Sequence, residues 1–219
     1  MSDEALVAKL NVLGVTTLSD ALDRLAIAGQ VIGVLPVARG MKFAGPAFTV
    51  QMLPVGLTNG IVGDYIDDVP EGAVVAIDNG GKPDQTVWGD ILTRVAHGKG
   101  LAGTVIDGVC RDSDCCVGLN YPVFSCGVTM RTAKDRSTAH AYHGPIQLAG
   151  VRIEPGDWLA GDSDGVVAIP AGRIDDVIGV AEQIDAAEKA ILAAVDKGMR
   201  LDDARRADGY HALQSRVAR

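Results

Sequence analysis

Between residues 73 and 128 the chain alternates short apolar runs with longer amphipathic stretches, and no other feature narrows the choice of fold as much. AVVAID (73–78), GTVIDG (103–108) and PVFSCGV (122–128) are runs of six or seven residues with apolar, Val- and Ile-containing centres, the composition of buried strands. Between them, WGDILTRVAHGKG (88–100) carries apolar residues at helical spacing and ends in glycines, and a short polar-started helix is expected at about 112–119. Repeated β-α-β units imply parallel strands with helices packed against them, so the fold class is α/β. Ligands in open sheets of this kind collect at the carboxyl ends of the strands.

The flanks add helices and further strands. Leu6, Leu10 and Leu13 behind Ser2 and Asp3 predict a capped helix over 2–13. Thr17-x-x-Asp20 fits a capping box opening a second helix over about 17–28, with Leu18, Leu22 and Leu25 as its inner stripe. From Val31 to Pro54, strands are expected to be broken by turns at Gly33, Pro36, Gly40, Gly45 and Pro46. EPGD (154–157) and DSDG (162–165) separate short strands within 146–170. A long helix is expected over about 171–197, its apolar face built from Ile174, Val177, Ile178, Ala181, Ile184, Ile191 and Val195 and its stop at Lys197-Gly198. The last twenty residues read as marginal helix. No linker, repeat or low-complexity tract interrupts the chain, which predicts a single domain over 1–219 with a C-terminal helical segment from about 171.

Composition removes several function classes. Apolar residues make up 47% of 219, and charged residues 22%, a globular profile. A net charge of −8 repels polyanions, so no nucleic-acid partner is expected. Four cysteines, three of them between 110 and 116, do not resemble a secreted disulfide framework. The start, MSDEALVAKL, has no basic and apolar leader pattern, and a cytoplasmic protein without a membrane span is expected.

The candidate site lies where two of the strands end. Asp90 opens a helix, and Arg111-Asp112 follows GTVIDG directly. The amides of Gly89, Asp90, Ile91 and Leu92 at a helix start suit a substrate carboxylate. An arginine fork at position 111 would bind a carboxylate or enolate through two hydrogen bonds, and Asp112 offers an oxygen to a hard cation such as Mg2+. From spacing alone a plainer account stands beside this one: Asp90 as a first-turn acid that steadies its helix, and Arg111-Asp112 as a solvated turn.

The motif Asp90, twenty residues, Arg111-Asp112 resembles the D-x20-R-D signature of the RraA-like family, which includes class II 4-hydroxy-4-methyl-2-oxoglutarate aldolases. TTLSDAL, GPAFTV (45–50), WGD (88–90), GTVIDGVCRD (103–112), YPVF (121–124) and EPGDWLAGDSDGVVAIP (154–170) are similar to that family's blocks over roughly residues 14–190. The resemblance implies an αββα sandwich related to swivelling β/β/α domains, assembled as a homotrimer or as a hexamer of two trimers. It also implies a divalent-metal-dependent lyase that cleaves 4-hydroxy-2-oxo acids to pyruvate and decarboxylates oxaloacetate. In that reading the Gly89–Leu92 backbone and Arg111 bind the pyruvyl unit, Asp112 ligates Mg2+ or Mn2+, and Asp90 orients a metal-bound water. An acidic residue from a neighbouring subunit completes the site in some aldolase members, at a position not identified in this chain.

A Schiff-base mechanism needs a desolvated lysine, and Lys82 between Gly81 and Pro83 reads as an exposed loop residue. Cys110, Cys115 and Cys116 lack zinc-site spacing and read as small core-filling side chains. His140 and His143 are assigned to a surface loop or a subunit contact. No glycine-rich nucleotide loop supports a methyltransferase. The alternative function is a non-catalytic, RraA-like protein-binding regulator of a ribonuclease, against which the intact Asp90, Arg111 and Asp112 argue.

Overall fold

In the computed structural model, which describes residues 1–57 and 62–207, the N-terminal segment is one helical run, α1 (Asp3–Arg24), instead of two separate helices. Gly14 breaks it with φ 76° and ψ 162°, a conformation open to glycine and costly for other residues. The second half starts at Val15, whose amide donates to Asp162 Oδ2 at 2.9 Å, so its cap comes from far along the chain. Thr17 therefore lies buried inside the helix and does not open it.

The strands β1 (Gln30–Val31) and β2 (Leu35–Pro36) are short. They precede β3 (Phe43–Pro54), which runs through Gly45-Pro46 where a turn was expected. Gly45 is required by close approach, since a Cβ there would lie 2.5 Å from the carbonyl oxygen of Gly72. A 3-10 turn at Asp64–Asp68 leads to β4 (Val74–Thr86), α2 (Asp90–Gly98), β5 (Gly103–Cys110), α3 (Ser113–Gly118) and β6 (Val123–Val128), matching the alternation read from the sequence. Next come β7 (Ser137–Tyr142), where a loop was expected, β8 (Ile146–Leu148), β9 (Val151–Ile153), β10 (Trp158–Asp162) and β11 (Gly165–Ile169). The chain then forms α4 (Ile174–Asp196) and α5 (Leu201–Ala207), and the final residues of the expected C-terminal helix lie outside the described residues.

The main sheet has the order β1-β11-β10-β3-β4-β5-β6-β2, with β7 also paired to β3. From β3 to β6 the strands are parallel, in registers such as Val50↔Ile77, Ile77↔Ile106 and Val105↔Phe124; the remaining pairs are antiparallel. The two edge strands, β1 and β2, are joined by residues 32–34 alone, and three residues span at most about 10 Å. The sheet must therefore curl until its ends come together.

Two walls result, each with helices outside it, which is the expected αββα layering within a mixed α/β fold. Phe43 of β3 points between the walls and meets Phe124 of β6 edge-on, ring centroids 4.9 Å apart. Ala44, its neighbour, faces the opposite way into a second apolar cluster with Trp158, Ala160, Val167 and Ile169, covered by Leu10, Leu18 and Leu22 of α1 and Val177, Ala181 and Ile184 of α4. Val195 is 36% exposed and lies beyond the end of that covered face. By length and hydropathy α1 would suffice to cross a membrane, but its inner face is committed to this cluster.

Candidate active site

β4 delivers the chain into a buried knot before α2 begins. The Trp88 indole N–H donates to Thr93 Oγ1 at 2.9 Å, and Thr93 closes the first turn by donating its hydroxyl (2.9 Å) and its amide (3.0 Å) to the Gly89 carbonyl. Trp88 stacks on Tyr121, whose hydroxyl pairs with Thr104 on β5 at 2.9 Å. The Trp88 carbonyl accepts the amide of Arg111 at 3.1 Å, which laces the segment after β5 to the segment after β4. The carboxyl ends of the two strands thus hold Gly89-Asp90 and Arg111-Asp112 side by side.

Asp112 has left-handed backbone angles, φ 54° and ψ 39°, a conformation Asp tolerates better than most residues. From there its Oδ2 lies 3.2 Å from Arg111 Nε and accepts the backbone amide of Asp90 at 3.2 Å. Asp90 Oδ1 accepts the amide of Ile91 at 2.8 Å. The structure brings Gly89, Asp90, Arg111 and Asp112 together as the spacing suggested. It also modifies the expectation for the helix start, because the chain's own carboxylates hold two of the four amides proposed for a substrate. Asp90 does steady its helix, as the plainer account held, and it does so at the edge of a cavity.

That cavity, about 410 Å3, is lined by Trp88, Gly89, Asp90, Ile91, Leu92 and Arg111 on one side. Gly63, which precedes the 3-10 turn, Asp64 and Asp67 within it, and Thr132 and Lys134 also line it. Sequence reasoning did not find these latter residues. The 131–134 segment is stitched beside β4 by the Thr86 amide donating to the Arg131 carbonyl (2.8 Å) and the Ala133 amide donating to the Thr86 carbonyl (3.0 Å), links with no local signature. A second recess, about 480 Å3, shares Arg111 with the first and is otherwise lined by Asp112, Ser113, Val128, Thr129 and Met130. Arg111 lines both recesses, whereas Asp112 lines only the second.

Among the described residues no group of three or more His, Cys, Asp and Glu side chains gathers as a metal cage. The donor available is the Asp112 carboxylate, partly exposed beside a roomy recess. That set fits a hard cation such as Mg2+, which keeps most of its waters and takes further oxygens from a substrate. His140, on β7, and His143 line neither recess; His143 is exposed and lies edge-on to Phe48 at 4.7 Å. Lys82 is half-buried on β4 opposite Gly108 and likewise lines neither.

The four cysteines are free thiols. Cys110 and Cys116 are buried, with Cys110 Sγ 3.6 Å from Ser125 Oγ and Cys116 Sγ 3.4 Å from Thr93 Oγ1. Burial pushes the Cys110 thiol pKa up to about 11 and raises that of Cys116.

The RraA-like family, described as Aldolase/RraA, matches residues 15–168, more than half of the chain. A protein of Halalkalibacterium halodurans named "Putative 4-hydroxy-4-methyl-2-oxoglutarate aldolase" is 33% identical over 189 residues, covering 86% of this chain and 88% of that protein. Protein DlpA of Legionella pneumophila is 39% identical over 191 residues, but this chain spans only 31% of its length. Among solved structures, an uncharacterized protein from Pseudomonas syringae pv. tomato superposes with a TM-score of 0.86 at 39% identity, covering 92% of this chain and 97% of that one. Streptomyces coelicolor RraAS2, described as an unusual member of the RNase ES inhibitor RraA family, superposes with a TM-score of 0.79 at 28% identity over 86% of this chain and 97% of its own. The chain belongs to the RraA-like family.

Proposed function

We propose that the chain is a cytoplasmic, divalent-metal-dependent lyase. It cleaves a 4-hydroxy-2-oxo acid of the 4-hydroxy-4-methyl-2-oxoglutarate type to pyruvate by retro-aldol chemistry, decarboxylates oxaloacetate at the same site, and works as a homotrimer or hexamer. One observation carries the reading: a guanidinium, a carboxylate and a helix N-terminus converge within 3.2 Å contacts at the ends of two parallel strands, beside a cavity large enough for a small acid.

Cleaving the C3–C4 bond leaves its electron pair on the pyruvyl carbon as an enolate, and that charge sets the barrier. A divalent cation held by Asp112 would supply Lewis-acid stabilisation of the 2-oxo oxygen. Arg111 directs a second fixed positive group at the same developing charge, worth about 3–4 kcal/mol by analogy with oxyanion donors. The α2 amides orient the substrate carboxylate. Asp90, anchored by the Ile91 amide, holds a water that takes the 4-hydroxyl proton and returns one to the enolate carbon. Loss of CO2 from oxaloacetate leaves the same enolate, so the same residues serve both reactions.

The test is pyruvate formation, coupled to lactate dehydrogenase, from oxaloacetate and from 4-hydroxy-4-methyl-2-oxoglutarate. Turnover is expected with Mg2+, abolished by EDTA and absent in Asp112→Ala. No pyruvate above background from either acid with Mg2+ or Mn2+ overturns the lyase and leaves the protein-binding regulator. Sedimentation at micromolar concentration checks the assembly: a monomer contradicts it.

A further inference from the structure

We propose that Asp112 competes internally for the substrate's own binding donors, and that drawing its carboxylate onto a divalent cation is what opens the site, so the oxo acid binds after the cation. The inference rests on the lyase reading of this site and deepens it with an order of binding.

Asp112 Oδ2 sits 3.2 Å from the Asp90 amide and 3.2 Å from Arg111 Nε, and these are the donors that the reading assigns to the substrate. Two carboxylates cannot share them, because like charges at hydrogen-bond separation repel strongly.

Gly89 shows that the local structure makes room for this contact. Its φ of −156° is ordinary extended backbone, so nothing in its conformation calls for glycine. A Cβ at that position would lie 2.8 Å from Asp112 Oδ2 and 3.2 Å from Arg111 Nε, so a larger residue would push the carboxylate from its place at the helix start.

The contact is also easy to release. Both distances exceed the 2.7–2.9 Å typical of charge-assisted hydrogen bonds, and the two side chains are 38% and 39% exposed, so water screens the pair. Asp112 borders the second recess with Ser113 and Thr129, which gives its carboxylate somewhere to turn toward a hydrated cation. Once a cation neutralises that carboxylate, the amide and the guanidinium face the cavity with positive potential uncompensated.

The experiment is calorimetric titration of the full-length protein with pyruvate at constant ionic strength, once in EDTA and once in saturating Mg2+. Asp112→Gly removes the carboxylate and keeps the left-handed backbone at no steric cost. Asp112→Asn, which also tolerates that conformation, is the second variant, and thermal melts verify that each folds. Asp114→Asn, in the first turn of α3, removes the same charge two residues away and leaves the helix start occupied.

In EDTA, Asp112→Gly is expected to bind pyruvate at least about tenfold more tightly than wild type, with Asp114→Asn within about twofold of wild type. Mg2+ is expected to tighten wild type at least about tenfold and to leave Asp112→Gly unchanged. Equal affinity of wild type and Asp112→Gly in EDTA overturns the competition, as does an equal gain in Asp114→Asn, which would mark a net-charge effect. Wild type that binds no pyruvate even in Mg2+ overturns the pyruvyl-site reading itself, and that arm separates the two failures.

Discussion

Asp112 and Asp90, separated by 22 positions, meet through a single hydrogen bond in which the Asp90 amide donates to Asp112 Oδ2 at 3.2 Å. The bond joins the segment after β5 to the first turn of α2, so the charge state and position of one carboxylate are felt by the helix start that faces the cavity. Residues around this pair divide into those that shape it and those that merely hold the walls behind it, and substitutions should separate the two groups.

Arg111→Lys keeps the positive charge and loses the planar fork. Lysine reaches one acceptor at a time, so kcat/KM for pyruvate formation is expected to fall about 10²–10³-fold, the cost of losing one oxyanion donor. The Arg111–Asp112 pair is partly exposed and worth about 0–1 kcal/mol, so the melting temperature should move by less than about 4 °C. Steady-state kinetics beside a thermal melt checks both; wild-type turnover removes Arg111 from the mechanism.

Gly89→Ala should spare the fold and damage the site. Its backbone angles suit alanine, but the new Cβ would drive into Asp112 Oδ2 and Arg111 Nε. Asp112 can swing aside as it does on meeting a cation, but Arg111 must give by a few tenths of an ångström, and kcat/KM is expected to fall about tenfold. Retained activity would show that Arg111 does not need its present position.

Gly161→Ala tests the interior between the walls. A Cβ at Gly161 of β10 would lie 2.3 Å from Phe43 Cε1, so the variant should lose about 1–3 kcal/mol and melt about 2–10 °C lower. Phe43→Leu placed in the same chain vacates that space, and the double variant should be less destabilised than the sum of the two single ones. Strict additivity in denaturant titrations would show that the clash is relieved elsewhere.

The thiols should split into two kinetic classes. Cys110 and Cys116 are inaccessible; burial pushes the Cys110 thiol up to about 11 and raises Cys116, but it raises Cys126 as well, so accessibility is what separates the classes. Cys126, exposed, and Cys115, partly exposed, should react with a disulfide reagent in the native protein, whereas Cys110 and Cys116 should react only on unfolding. Rapid native labelling of all four would contradict the burial of the pair behind the site.

The β-α-β centre was legible because a buried strand writes its character locally, and Arg111-Asp112 stood out by following one such strand directly. What escaped the sequence was set by distance or by packing. The break at Gly14 left a helix start to be capped by Asp162 instead of a nearby Thr17-Asp20 box. Gly45 punctuates nothing; it lets a strand pass close to the carbonyl of Gly72. β7 carries half-buried Thr138 and exposed His140 and Tyr142 along a strand that, among the described residues, pairs only with β3, so its apolar pattern is weak. Of the site, the converging side chains were readable, but the wall formed by Gly63, Asp64, Asp67, Thr132 and Lys134 comes from segments that only the curled sheet brings near.

The packing of α1 against α4 sets a schedule for biosynthesis. Lys9 pairs with Glu182, and Leu10, Leu18 and Leu22 share one apolar cluster with Val177, Ala181 and Ile184. During synthesis α1 is therefore made well before α4, and its greasy side stays unsheltered until α4 has followed. A nascent or truncated polypeptide ending before residue 174 carries that uncovered stripe throughout, which makes it a natural client for a chaperone and a poor candidate for an independently folding fragment.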